Sequence, residues 1–174
     1  GPRNNSLVDF LIRERPHINN IFITHNDADH IGGLYSIIKR NSKNIDALWM
    51  LDDRSRSDVC KIITKIRETF DPNKIWRLER GNAHARQLYN YGNYSIKIHF
   101  PQFVDNLDAS SPNSTSAILC LTYINDVIVA WGSDNSLGNI ASKCPSPVQL
   151  LFGPHHGAPE ERKNTKLMTR HLQS

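Results

Sequence analysis

The chain has 174 residues, 39% of them hydrophobic and 22% charged, with 21 Lys and Arg against 17 Asp and Glu for a formal charge of +4. That balance suits one soluble domain with a sizeable core, residues 1–174, and excludes a disordered or fibrous chain. No apolar run is long enough to cross a bilayer and no signal-peptide pattern opens the chain; three scattered cysteines, Cys60, Cys120 and Cys144, are too few for a disulfide framework and point to a reducing, cytoplasmic setting.

In chain order, Leu7 to Arg15 spaces Leu7, Phe10 and Leu11 as a helix, which Pro16 stops. Ile18 to Thr24 is a short β-branched run and predicts a buried strand. Ile31 to Arg40 predicts a helix opened by Gly32-Gly33, where the backbone is expected to pack closely. Ile45 to Leu51 predicts a strand, and Ser55 to Phe70 an amphipathic helix with Val59, Ile62, Ile63 and Ile66 on one face, ended by Asp71-Pro72. Residues 81–92 form a polar loop. Tyr94 to Phe100 alternates as a strand. Thr115 to Tyr123 and Val127 to Trp131 predict a hairpin joined at Asn125-Asp126, Val148 to Phe152 a last strand, and Thr165 to Leu172 a last helix. Helices interspersed with strands imply layered α/β architecture with a mixed sheet. Cys120 sits in an apolar run and reads as a buried thiol, and no two cysteines have metal-ligand spacing. Trp49, Trp76 and Trp131 take core positions, His99 a core or edge position in its strand, and His17, His84 and His171 surface positions.

The chemistry concentrates in Thr24-His25-Asn26-Asp27-Ala28-Asp29-His30-Ile31-Gly32-Gly33, at the end of the first strand. In extended backbone alternate side chains share a side, so His25, Asp27 and Asp29 are expected to converge, with His30 following as the chain turns. A helix cap plus solvated histidines would explain one of these residues; four imidazole or carboxylate groups in six residues need compensation, and metal cations supply it. Two later strand ends carry residues of the same type: Gly132-Ser133-Asp134 after Val127 to Trp131, and Gly153-Pro154-His155-His156-Gly157 after Val148 to Phe152. Each alone is only suggestive. Asp52 and Asp53 read either as orienters of ligands or as caps for the helix after Ser55.

The run THNDADHIGG resembles the His-x-His-x-Asp-His hallmark of the metallo-β-lactamase superfamily. Its Asp27 version is similar to the branch holding ComEC-type competence proteins and phosphorylcholine esterases. Asn113 to Ser116 before the hairpin, Asp134 after it, the His155-His156-Gly157-Ala158 segment and the opening Gly1-Pro2 extend the resemblance over essentially the whole chain. It implies an αββα sandwich, here without the family's N- and C-terminal strands, so that the chain is expected to be a portion of a larger protein with further domains or partners. It also implies that His25 and Asp27 bind one metal and Asp29 and His30 the second, with Asp134 bridging. Of the histidine pair, His156 is favoured as a ligand and His155 as the substrate-facing group; Asp29 and His155 are the residues expected to carry catalysis. The family's third-motif histidine has no counterpart; Asn113 or Ser116 stands in its place and is expected to meet the substrate.

Nitrogen and oxygen donors without thiolate suit two divalent ions, zinc first, with manganese or iron as alternatives. Such a pair lowers the pKa of a bridging water and clamps the oxygens of the attacked group. The expected activity is that of a phosphodiesterase or nuclease acting on nucleic acid. The resembled branch, the positive charge, and Arg54, Arg56 and Arg86 near the expected site mouth favour it, as do Arg80, Arg162 and Lys163. The alternatives are a small-molecule phosphoesterase of the phosphorylcholine-esterase kind and a non-catalytic metal-binding interaction domain.

Overall fold

The computed structural model describes residues 6–14, 17–51, 57–80, 90–101, 115–145 and 147–152. They fall into two compact units, Gly1–Arg77 and Leu78–Ser174.

In the first unit α1 (Ser6–Glu14) leads into β1 (Ile18–Ile23), the short α2 (Ala28–Ile31), α3 (Leu34–Asn41), β2 (Ile45–Met50), α4 (Ser57–Thr69) and β3 (Ile75–Arg77). The strands lie in the order β1-β2-β3, all parallel, with Ile18 opposite Ile45 and Leu48 opposite Ile75. Parallel neighbours cannot be joined by a tight hairpin, and here α3 and α4 are the crossover helices. β2 is the central strand and is buried at every residue but Asp46. Its Ile45, Leu48 and Met50 share a core with Ile31, Leu34 and Ile38 from the first helices and Ile63, Ile66 and Phe70 from the α4 region. Burying each such side chain contributes about 1.5–3 kcal/mol. α4 stops where the sequence indicates: the Asp71 carboxylate accepts the Asn73 N–H at 2.9 Å and Pro72 opens the next turn. α1 departs from its expected face. Val8 is buried, whereas Phe10 is half exposed at 51%, and Asp9 instead ties the helix to α3 through an ion pair with Arg40. β1 is an outer strand of its sheet among the described residues.

The second unit holds β4 (Asn90–Tyr91), β5 (Tyr94–Phe100), β6 (Ile118–Tyr123), β7 (Asp126–Trp131), α5 (Leu137–Lys143) and β8 (Val148–Phe152). Their order is β4-β5-β6-β7-β8, antiparallel up to β7, with β8 parallel to β7 and α5 making the crossover. Ile118, Cys120, Val127, Ala130 and Val148 of the sheet pack with Ile140 and Cys144 from the α5 segment. The α5 helix was not anticipated from the sequence, nor was the short strand β4. The expected β6–β7 hairpin is present, with its loop one residue earlier, at Ile124-Asn125, because Tyr123 pairs with Asp126. The architecture is therefore α/β with one parallel and one mixed sheet.

Candidate metal-binding residues at the strand ends

β1 ends at Ile23, the chain bends at His25, and Asp27 (φ −83°, ψ 152°) takes the N-cap position of α2. His30 and Ile31 donate their N–H groups to the Asp27 carbonyl at 3.0 Å each. The helix thus begins at Ala28, two residues earlier than alternation along a strand would need for Asp29 to side with His25 and Asp27. On a helix successive residues are rotated by about 100°, so Asp29 swings outward and its side chain is 63% exposed. His30 returns over His25: their ring centroids are 3.9 Å apart at 51°.

His25 is fully buried. Its Nε2 lies 3.8 Å from Asp27 Oδ2, and the His30 Nε2 lies 3.5 Å from Asp29 Oδ2. Thr24 Oγ1 sits 3.4 Å from His25 Nδ1. Asn26, also buried, donates its amide to the Leu51 carbonyl at 2.9 Å, pinning the loop after β1 to the end of β2. The ring nitrogens that His25 and His30 offer lie within 4.8 Å of each other. A divalent ion bound by two imidazoles at about 2.0–2.1 Å each needs its donors within about 4.2 Å, so the rings are close enough to reach it with a small adjustment. His25 and His30 could therefore hold a metal ion, and the neighbouring carboxylates supply further hard oxygen donors of opposite charge. The close backbone packing expected of Gly32-Gly33 is not required at Gly33: its φ is −86°, and a Cβ there would meet no atom within 4 Å.

In the second unit β7 runs into Gly132-Ser133-Asp134, as the sequence indicated. Here a glycine is needed, since a Cβ at Gly132 would come within 2.7 Å of Ile140 Cγ1 in the core. Ser133 follows with φ +49°, a left-handed conformation that costs a non-glycine residue free energy. The turn is held by Asn135, a buried residue that sequence reasoning passed over. Its Nδ2 donates to the Ser116 carbonyl at 2.5 Å and to the Gly132 carbonyl at 3.0 Å, while its Oδ1 accepts from Asn139 Nδ2 at 2.8 Å. Asp134, buried at 8% exposure, sits inside this clamp. Ser136 then caps α5 by accepting the Asn139 N–H at 3.2 Å.

Ser116 is fully buried, and among the described residues its Oγ has no hydrogen-bond partner. His99 is half-buried in β5, as expected; burial, with Arg80 and Lys97 adding positive potential, holds its pKa below the usual histidine value and favours the neutral ring. His17 is exposed and meets Asp46 at 3.0 Å. Trp49 is buried and donates its indole N–H to Asn20 Oδ1 at 2.9 Å. The expected site residues Arg54, Arg56, Arg86, Asn113, His155 and His156 lie outside the described residues, as do Asp52, Asp53, His84, Gly1-Pro2 and the helix expected at 165–172.

No protein-family model, no curated protein and no solved structure matches this chain. Among the described residues no helix is long and apolar enough to cross a membrane.

Proposed function

We propose that the chain is a metal-dependent hydrolase that activates water between two divalent ions, zinc first, and cleaves phosphodiesters of nucleic acid. The observation that carries the reading is the strand-end pair His25 and His30, ring to ring at 3.9 Å, each with a carboxylate within 3.8 Å. A cation between the ring nitrogens of His25 and His30 would be held by both imidazoles, with the Asp27 and Asp29 carboxylates supplying opposite charge. On the resemblance to metallo-β-lactamase-fold hydrolases, His25 and Asp27 would hold one ion, Asp29 and His30 the second, with Asp134 bridging and His156 completing the set. When bound, the ions would supply a water of lowered pKa and stabilise charge on the phosphoryl oxygens. His155 would face the substrate, and the net positive charge of +4 would favour an anionic one.

The test is metal content and turnover of a chromogenic bis-phosphodiester by the wild-type chain and by Asp29→Ala and His30→Ala. Both side chains lie outside the apolar core, so the variants are expected to stay folded while losing at least one ion per chain. Turnover should fall by about 10²-fold or more, as when a group stabilising the transition state is removed. Wild-type turnover with full metal content in either variant would end the two-ion reading.

A further inference from the structure

The second unit contains a contact unrelated to the strand-end site. Cys120, in the middle of β6, and Cys144, at the C-terminal cap of α5, bring their sulfurs to 3.2 Å. Both are buried, at 0% and 5% exposure, in the cluster formed by Phe100, Ile118, Val127, Ala130, Ile140 and Val148. They are 24 residues apart in the chain, so the fold, not local sequence, makes the pair. The candidate metal-holding group found among the described residues does not include them.

We propose that Cys120 and Cys144 are a redox modification site, a dithiol that a small peroxide converts to a disulfide tying the end of α5 to β6. The sulfurs need to close by about 1 Å to reach bonding distance, and Cys144 lies at the end of α5, not within it, where a small shift of the cap can close that gap. The two thiols are unequal. Either sulfur can donate in this contact; with Cys120 donating, the bond favours the thiolate of Cys144, and the same bond together with burial holds the Cys120 proton tightly. Cys144, at the end of α5 and the less deeply buried of the two, is the sulfur that a small peroxide meets first, and it is the attacking one. Its thiolate bonds to one oxygen of hydrogen peroxide, the O–O bond breaks, and the departing hydroxide takes a proton to become water, leaving a sulfenic acid on Cys144. Cys120 then loses its proton, its sulfur bonds to the Cys144 sulfur, the S–O bond breaks, and a second water leaves. Two thiols are oxidised and one peroxide is reduced to two waters.

The test treats the full, reduced chain with hydrogen peroxide, alkylates the remaining thiols under denaturing conditions and maps the peptides. The expected product has lost the mass of two hydrogens and contains a dithiothreitol-sensitive cross-link between the Cys120 and Cys144 peptides, with Cys60 outside it. In Cys120→Ala the reaction should stop at a sulfenic acid on Cys144, trapped by dimedone, whereas Cys144→Ala should leave Cys120 alkylatable. If those variants fail to fold, the wild-type map decides alone. Cys120 and Cys144 remaining alkylatable after Cys60 has been consumed would overturn the proposal. So would separate sulfinic acids without a cross-link, or a cross-link running to Cys60.

Discussion

Asn26 and Asn135 occupy the same kind of position, each beside a strand-end carboxylate or imidazole, buried, with a side-chain amide donating to a main-chain carbonyl. The ligand-type residues His25, Asp27 and Asp134 are legible in the sequence because their charges crowd a strand end. The asparagines are not, because an asparagine in a polar run reads as a loop residue until the carbonyl it meets, 19 to 25 residues away, is brought to it. Asn135 bridges Ser116 and Gly132 across the start of β6 and the end of β7, so its loss strands a buried carbonyl and frees the turn that carries Asp134. Asn135→Ala should cost about 2 kcal/mol, the usual penalty for a buried group left without its partner. Asn135→Asp should cost more, since it sets a carboxylate against two carbonyl oxygens. Urea unfolding checks both, and an Asn135→Ala midpoint equal to wild type would show that the clamp is not what holds the turn.

Elements with a clear period were readable: β1, β2, β5, β6, β7 and β8 lie where apolar or alternating runs place them, and α4 buries Ile63 and Ile66 from its predicted face. The α5 helix escaped because Gly138, Asn139 and Ser142 dilute its apolar spacing, leaving Ile140 as its one buried side chain. The direction of Asp29 escaped for a related reason: nothing in the run of acids signals that helix starts at Ala28, not after His30. Turns show a further mismatch between residue and conformation. The β4–β5 and β6–β7 hairpins both have two-residue loops whose first residue has positive φ, Gly92 at 57° and Ile124 at 56°. Glycine adopts that backbone freely; a β-branched side chain does not. Ile124 is 59% exposed, so its side chain contributes little packing, and its N–H still reaches the Asn93 carbonyl at 2.7 Å in any substitution that keeps the backbone. Relieving strain of 1–3 kcal/mol against the entropy cost of a glycine should leave Ile124→Gly more stable by about 1 kcal/mol. A lower thermal midpoint than wild type would mean that the isoleucine side chain is held by contacts it does not show here.

For the whole molecule, the proposed hydrolase reading turns on substrate size, and net charge bears on it directly. The excess of 21 basic over 17 acidic side chains is modest, and a patch of solvated lysines and arginines would produce it without any ligand. What separates a nucleic-acid backbone from a small phosphoester is how many phosphates are neutralised at once. Each phosphate contacted releases condensed counterions, so the logarithm of affinity falls with the logarithm of salt by roughly 0.7–0.9 per contact. Under the proposed nuclease reading Arg54, Arg56 and Arg86 are the extended contacts, since guanidinium groups pair with phosphate oxygens in a fork. Replacing all three by Gln should weaken binding of a single-stranded oligonucleotide and flatten its salt slope by about 2–3. Turnover of a chromogenic bis-phosphodiester, which is too small to reach beyond the ions, should be nearly unchanged. Equal losses on both substrates would mean that the arginines support the fold or the ligand set. An unaltered salt slope with unaltered affinity would remove the nucleic-acid substrate and leave a small phosphoester as the substrate of the proposed site.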